Sequence, residues 1–85
     1  MYRLEYKKSV AKDLRAIPKP RLKKIVKRVQ LLATDPRGSN CMKLRAEGEL
    51  YRTRQGDYRI IYSINDQIVT VMILKVGHRR DVYER

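Results

Sequence analysis

The sequence predicts an α+β domain in which two helices pack on one side of a curled, mainly antiparallel sheet. Three observations carry this reading. Apolar residues recur every 3.6 residues up to about residue 40 and every second residue after it. A short alternating segment, Tyr2, Leu4, Tyr6 against Arg3 and Glu5, precedes the helical half. With 85 residues and 42% hydrophobic content there is room for one small core, so residues 1–85 form a single domain.

Each element follows in chain order. Residues 2–6 alternate and read as a strand. Ser9 is placed to cap a first helix, with Val10, Leu14 and Ile17 on its buried face. Pro18 and Pro20 interrupt it, and Pro20 suits the first turn of a second helix. There Leu22, Ile25, Val26, Val29, Leu32 and Ala33 form the apolar stripe, ending near Asp35-Pro36. After the break at residues 36–40, Met42 to Leu44 is a short strand. Leu50 to Arg54 is a second, with Arg52 and Arg54 on the face opposite Tyr51 and Thr53. Gln55-Gly56-Asp57 is a tight turn. Tyr58 to Ile64 then puts Tyr58, Ile60, Tyr62 and Ile64 on one face and Arg59, Ile61 and Ser63 on the other. Ile68 to Val76 is apolar on both faces, as in a central strand, and the tail from Gly77 is expected to leave the sheet. The order is β-α-α-β-β-β-β.

Composition restricts the function. There are 21 Lys plus Arg against 9 Asp plus Glu, a net charge of +12. Such self-repulsion calls for an anionic partner. RNA or DNA comes first and an acidic protein second. A membrane surface comes last, because the chain has no Trp or Phe to anchor at an interface. No apolar run approaches the ~20 residues of a membrane span, and the first residues lack the apolar stretch of a signal peptide. One cysteine forms no internal disulfide. These features together predict a cytoplasmic protein.

The basic run from Lys12 to Arg28 reads as the solvated face of an amphipathic helix, with Arg21, Lys24 and Arg28 opposite the apolar stripe. The second half is more specific. Arg52 and Arg54 project from one strand and Arg59 from the next, across a short turn. Guanidiniums converging without interspersed acids suit phosphate oxygens, which their planar forks grip bidentately. His78, Arg79 and Tyr83 follow and are expected to fold over the same face. His78 is the only histidine, and histidine is the side chain that ordinarily titrates near neutrality.

No set of His, Cys, Asp and Glu has metal-ligand spacing, and no glycine-rich loop could cradle a nucleotide, so neither a metal nor a small-molecule cofactor is expected. The residues fit a reaction in which the ribose 2′-hydroxyl attacks its own phosphate. The protein then has to align the attack, stabilise the phosphorane and protonate the leaving 5′-oxygen.

Ala11-Lys12-Asp13-Leu14, Leu31-Leu32 to Asp35-Pro36, Lys43-Leu44-Arg45, the run from Tyr51 to Tyr62 and the tail from Val76 to Tyr83 together resemble the RelE toxins of the RelE/ParE superfamily. The resemblance implies a ribosome-dependent mRNA endonuclease that cuts the A-site codon and is silenced by an antitoxin, expected to be acidic and encoded beside it. By motif, Arg59 takes the arginine that stabilises the phosphate and Arg79 the proton donor to the leaving group. Tyr83 takes the tyrosine that orients or activates the nucleophile. Arg52 and Arg54 take two basic strand positions that are lysines in some relatives, and with Lys43 and Arg45 they are the candidates for binding RNA phosphates. Where a relative has a lysine proposed as base, this chain has Arg54, and an arginine is a poor base. The base role then falls to His78 or Tyr83. ParE toxins, which poison DNA gyrase on the same fold, are the alternative, and a basic module that binds without catalysis is a third reading.

Overall fold

The computed structural model describes residues 1–44 and 48–78. Strand β1 (Arg3–Tyr6) leads into helices α1 (Lys8–Arg15) and α2 (Lys19–Leu32). Strands β2 (Cys41–Lys43), β3 (Leu50–Gln55), β4 (Tyr58–Asn65) and β5 (Thr70–His78) follow. They form one five-stranded sheet in the order β1-β5-β4-β3-β2. β1 runs parallel to β5 and every other pair is antiparallel. The α+β class and the element order are therefore those the periodicity predicts. No helix among the described residues is long and apolar enough to cross a membrane.

The helices cover one face of the sheet. Val10 and Ile17 from the first helix region and Ile25, Val29 and Leu32 from α2 bury against Tyr51, Ile60, Tyr62, Ile64, Val71, Ile73 and Val76. These sheet residues alternate along their strands, and one extra residue between Ile73 and Val76 keeps Val76 on the same face as the rest. Tyr62 is fully buried, stacks on Tyr51 at 5.8 Å and donates its hydroxyl hydrogen bond to the Pro36 carbonyl at 2.6 Å. That bond ties the chain leaving α2 to the centre of the sheet, and burial pushes the Tyr62 phenol well above its ordinary pKa.

Local details differ from the pattern. Ser9 is not a cap: α1 starts at Lys8 and its end is unsupported by any side-chain cap. Pro20 does fall in the first turn of α2, where its missing N–H leaves no bond unmade. Val26 is 39% exposed, so the stripe is narrower than the run of apolar letters. β5 starts two residues later than expected and continues through Gly77 and His78, which pair with Arg59 and Tyr58 instead of leaving the sheet. Between the Ile61–Lys75 and Tyr62–Ile73 pairs, Leu74 has no partner opposite it, which marks a β-bulge. Asp13 of α1 holds the strand just past this bulge. Its carboxylate accepts the Val76 amide N–H at 3.1 Å and pairs with Lys75 Nζ at 3.1 Å.

At the other end of the sheet Arg37 joins four segments. Its guanidinium donates to Glu49 and Asp66 at 2.8 Å each and to the Tyr51 hydroxyl at 3.1 Å. The Tyr2 hydroxyl donates to Asp66 at 2.7 Å. Arg37 holds both carboxyls below their usual pKa, and they hold its own above the ordinary arginine value.

Candidate nucleic-acid interface

The site grows from the hairpin of β3 and β4. Gln55 pairs with Tyr58, so Gly56 and Asp57 alone make the turn. Gly56 has φ +59°, and glycine at the first turn position is what a II′-type hairpin demands. This tight turn fixes the register and sets Arg54 directly opposite Arg59. Their Cβ atoms then stand ~5 Å apart, and like charges in such a pair are destabilising. Arg52, opposite Ile61, lies on the same face one step along.

The exposures grade along the face. Arg54 is exposed, Arg59 half-buried and Arg52 buried at 7%. Arg52 and Arg59 each engage further neighbours. On the next strand Gly77 sits opposite Arg59 and adds no side chain to the face. A cavity of about 110 Å³ lies at this end, lined by Arg54, Arg59, Tyr58 and the turn, including the Asp57 carboxylate. A larger depression of about 860 Å³ runs along α2 beside Leu22 and Val26 and is mainly apolar between lysines.

The structure unites Arg52, Arg54 and Arg59, as the alternation predicts. It separates His78, which pairs with Tyr58 on the helix-packed face and meets its ring edge-on at 5.7 Å. The expectation that His78 folds over the arginine face fails, because β5 extends to it and the strand alternation turns it away. Lys43 also points elsewhere: it sits opposite Tyr51, on the core face, and pairs with Glu49 at 3.6 Å. Arg45, Arg79 and Tyr83 lie outside the described residues. Two residues gain importance instead. Asp13 anchors β5 immediately before Gly77. Arg28, expected on the solvated helix face, is half-buried and lines a cavity with Arg52 and Arg54. The signal was present, since Arg28 lies three residues after Ile25 and four before Leu32, at the edge of the buried stripe.

This geometry can be set beside known proteins. The family model described as ParE toxin of type II toxin–antitoxin system matches residues 4–83. A RelE1 protein of Methanocaldococcus jannaschii is 31% identical, over 98% of this chain and 96% of its own length. The chain belongs to the RelE toxin family. Toxin RelG of Mycobacterium tuberculosis is 49% identical over 35 residues, a match spanning 41% of this chain and 40% of RelG. Among solved structures, this RelE-family chain resembles the archaeal RelE–RelB complex of Pyrococcus horikoshii, with TM-score 0.83 and 34% identity over 95% of this chain and 98% of that one. It is similar also to the RelBE2 toxin–antitoxin complex of M. tuberculosis, with TM-score 0.81 and 31% identity over 92% and 98%. As a RelE-family member it belongs to the toxins of type II toxin–antitoxin systems.

Proposed function

We propose that this RelE-family toxin is an mRNA endonuclease acting in the ribosomal A site, and that an acidic antitoxin holds it inactive. The observation that carries the reading is the Arg54–Arg59 cross-strand pair with Arg52 beside it. Like charges held opposite one another cost stability, and a phosphate between them removes that cost. In the reaction the ribose 2′-oxygen attacks the adjacent phosphorus, a 2′,3′-cyclic phosphate forms, and the bond to the 5′-oxygen breaks. Arg59 stabilises the added charge of the phosphorane. Arg52 and Arg54 grip the backbone and hold the attack in line. By resemblance Arg79 gives the proton to the leaving 5′-oxygen. With His78 on the opposite face, Tyr83 takes the proton of the 2′-hydroxyl. The ribosome supplies the wall that orients a flexible strand on this shallow face.

The similarity to structures of RelE–RelB complexes supports an antitoxin partner, and a net charge of +12 supports an acidic one. The match to a family model described as ParE toxin favours a second reading, inhibition of DNA gyrase without cleavage. Single-turnover mRNA cleavage on programmed ribosomes separates them. Arg59→Ala should lower the cleavage rate by ~10²–10³, as loss of a comparable preorganised donor does. Lys24→Ala, on exposed helix surface, should cleave close to the wild-type rate. Ribosomes left uncut by the wild-type protein while gyrase supercoiling is blocked would replace the nuclease reading with the ParE-like one.

A further inference from the structure

We propose that Arg28 of α2, together with Arg52 and Arg54, forms a second phosphate subsite for the RNA strand at the open edge of β3. The inference rests on the ribonuclease reading above and extends its binding surface by one unit of backbone.

The fold makes an opening here. β2 pairs with β3 only from Tyr51 to Thr53, so Arg54 has no β2 residue opposite it. A cavity of about 360 Å³ occupies this edge, lined by Arg28, Ser39, Asn40, Cys41, Arg52 and Arg54 among others. No carboxylate among the described residues lines it. Arg28 Nε is shielded from solvent and has no hydrogen-bond partner among the described residues. A shielded guanidinium N–H without an acceptor is costly. The missing acceptor is supplied by an anion entering the cavity. Ser39 and Asn40 add neutral donors at its rim.

The cavity shares Arg54 with the smaller one that holds Arg59. A phosphate at Arg28 and a phosphate at Arg59 would therefore flank one guanidinium. RNA is the occupant proposed, because the subsite shares Arg54 with the cavity of the ribonuclease reading and arginine forks grip phosphate oxygens bidentately. Phosphate contacts of this kind position the strand and carry no base preference.

Cys41 is the chain's only cysteine, and it lines the cavity half-buried, so it reports occupancy directly. The test measures its alkylation by a neutral reagent with and without a 2′-O-methyl RNA pentanucleotide, which cannot be cut. Fluorescence anisotropy establishes affinity and saturation. Saturating pentanucleotide should slow Cys41 alkylation in wild type and in Arg59→Ala. Arg28→Ala should lose that protection and about tenfold in affinity, and its salt slope should fall by about 0.7. Arg28→Lys should keep the slope and recover part of the affinity, and its melting curve guards against a folding defect. Unchanged alkylation at saturation, or wild-type affinity and slope in Arg28→Ala, would overturn the subsite. Equal protection by poly-glutamate of matched charge would overturn it too, in favour of an acidic polypeptide. If the ribosomal cleavage assay fails while RNA still protects Cys41, the nuclease reading falls and the subsite stands. If cleavage depends on Arg59 and Arg28→Ala binds normally, the subsite falls alone.

Discussion

Replacing Asp13 should loosen the end of β5 that borders the arginine face. The Asp13 side chain is 13% exposed, and its two oxygens serve the Val76 amide and Lys75 Nζ. Asp13→Ala leaves the part-buried Val76 N–H without an acceptor, a loss of ~1–3 kcal/mol. The Lys75 pair is half exposed on the lysine side, so it adds ~0–1 kcal/mol. Together these span ~1–4 kcal/mol, with a centre near ~2–3 kcal/mol. For a domain of this size ~1 kcal/mol moves the melting midpoint by ~4–8 °C, so a fall of ~10–20 °C is expected. Asp13→Asn keeps a neutral acceptor and should lose about half as much. Thermal melts followed by circular dichroism measure this. Cleavage assayed well below the lowered midpoint then separates stability from positioning, because Gly77 stands opposite Arg59 only one residue past the anchored amide. A midpoint within ~2 °C of wild type for Asp13→Ala would show that the Val76 amide finds another partner and that the anchor is dispensable.

Two further outcomes follow from the ends of the sheet. Arg37 lowers the carboxyls of Asp66 and Glu49 below their usual 3.8 and 4.5. Depressed folded-state values stabilise the protein above the unfolded ones, and that stability is lost as pH falls through the folded ones. Arg37→Ala should therefore flatten the decline of denaturant midpoint between about pH 5 and pH 3, and an unchanged decline would remove the network from the acid response. Gly56→Ala meets open space but keeps φ at +59°, so backbone strain of ~1–2 kcal/mol is expected. Cleavage should fall with it as the Arg54–Arg59 register relaxes, whereas a hairpin amide pattern and rate identical to wild type would show that the turn tolerates the change.

The change of apolar period near residue 40 made the architecture legible, because helix and strand place side chains at incompatible spacings. The alternation of Arg52, Arg54 and Arg59 against Tyr51, Thr53 and Tyr58 likewise revealed the charged face. What the pattern could not supply was contact between distant segments. Asp13 looks like one acid in a basic helix until the bulge at Leu74 brings the Val76 amide to it. Arg28 is a surface letter on a helical wheel and becomes a cavity wall only because β2 stops short of Arg54. His78 was misplaced for a related reason. A glycine before it suggests a strand end, yet Gly77 stays paired with Arg59, and alternation carries His78 to the other face.

The distribution of charge along the sheet explains why binding and stability are opposed in this fold. At the Arg37 end one guanidinium is surrounded by two carboxylates and two tyrosine hydroxyls, so that end is electrostatically satisfied without a ligand. At the hairpin end Arg54 and Arg59 face each other across a two-residue turn, with Arg52 and Arg28 close by. Like charges placed opposite each other cost stability, and under the reading proposed above a phosphate between the forks would offset that cost. On that reading, an acidic antitoxin and RNA would compete for this face, since either anion relieves the same repulsion.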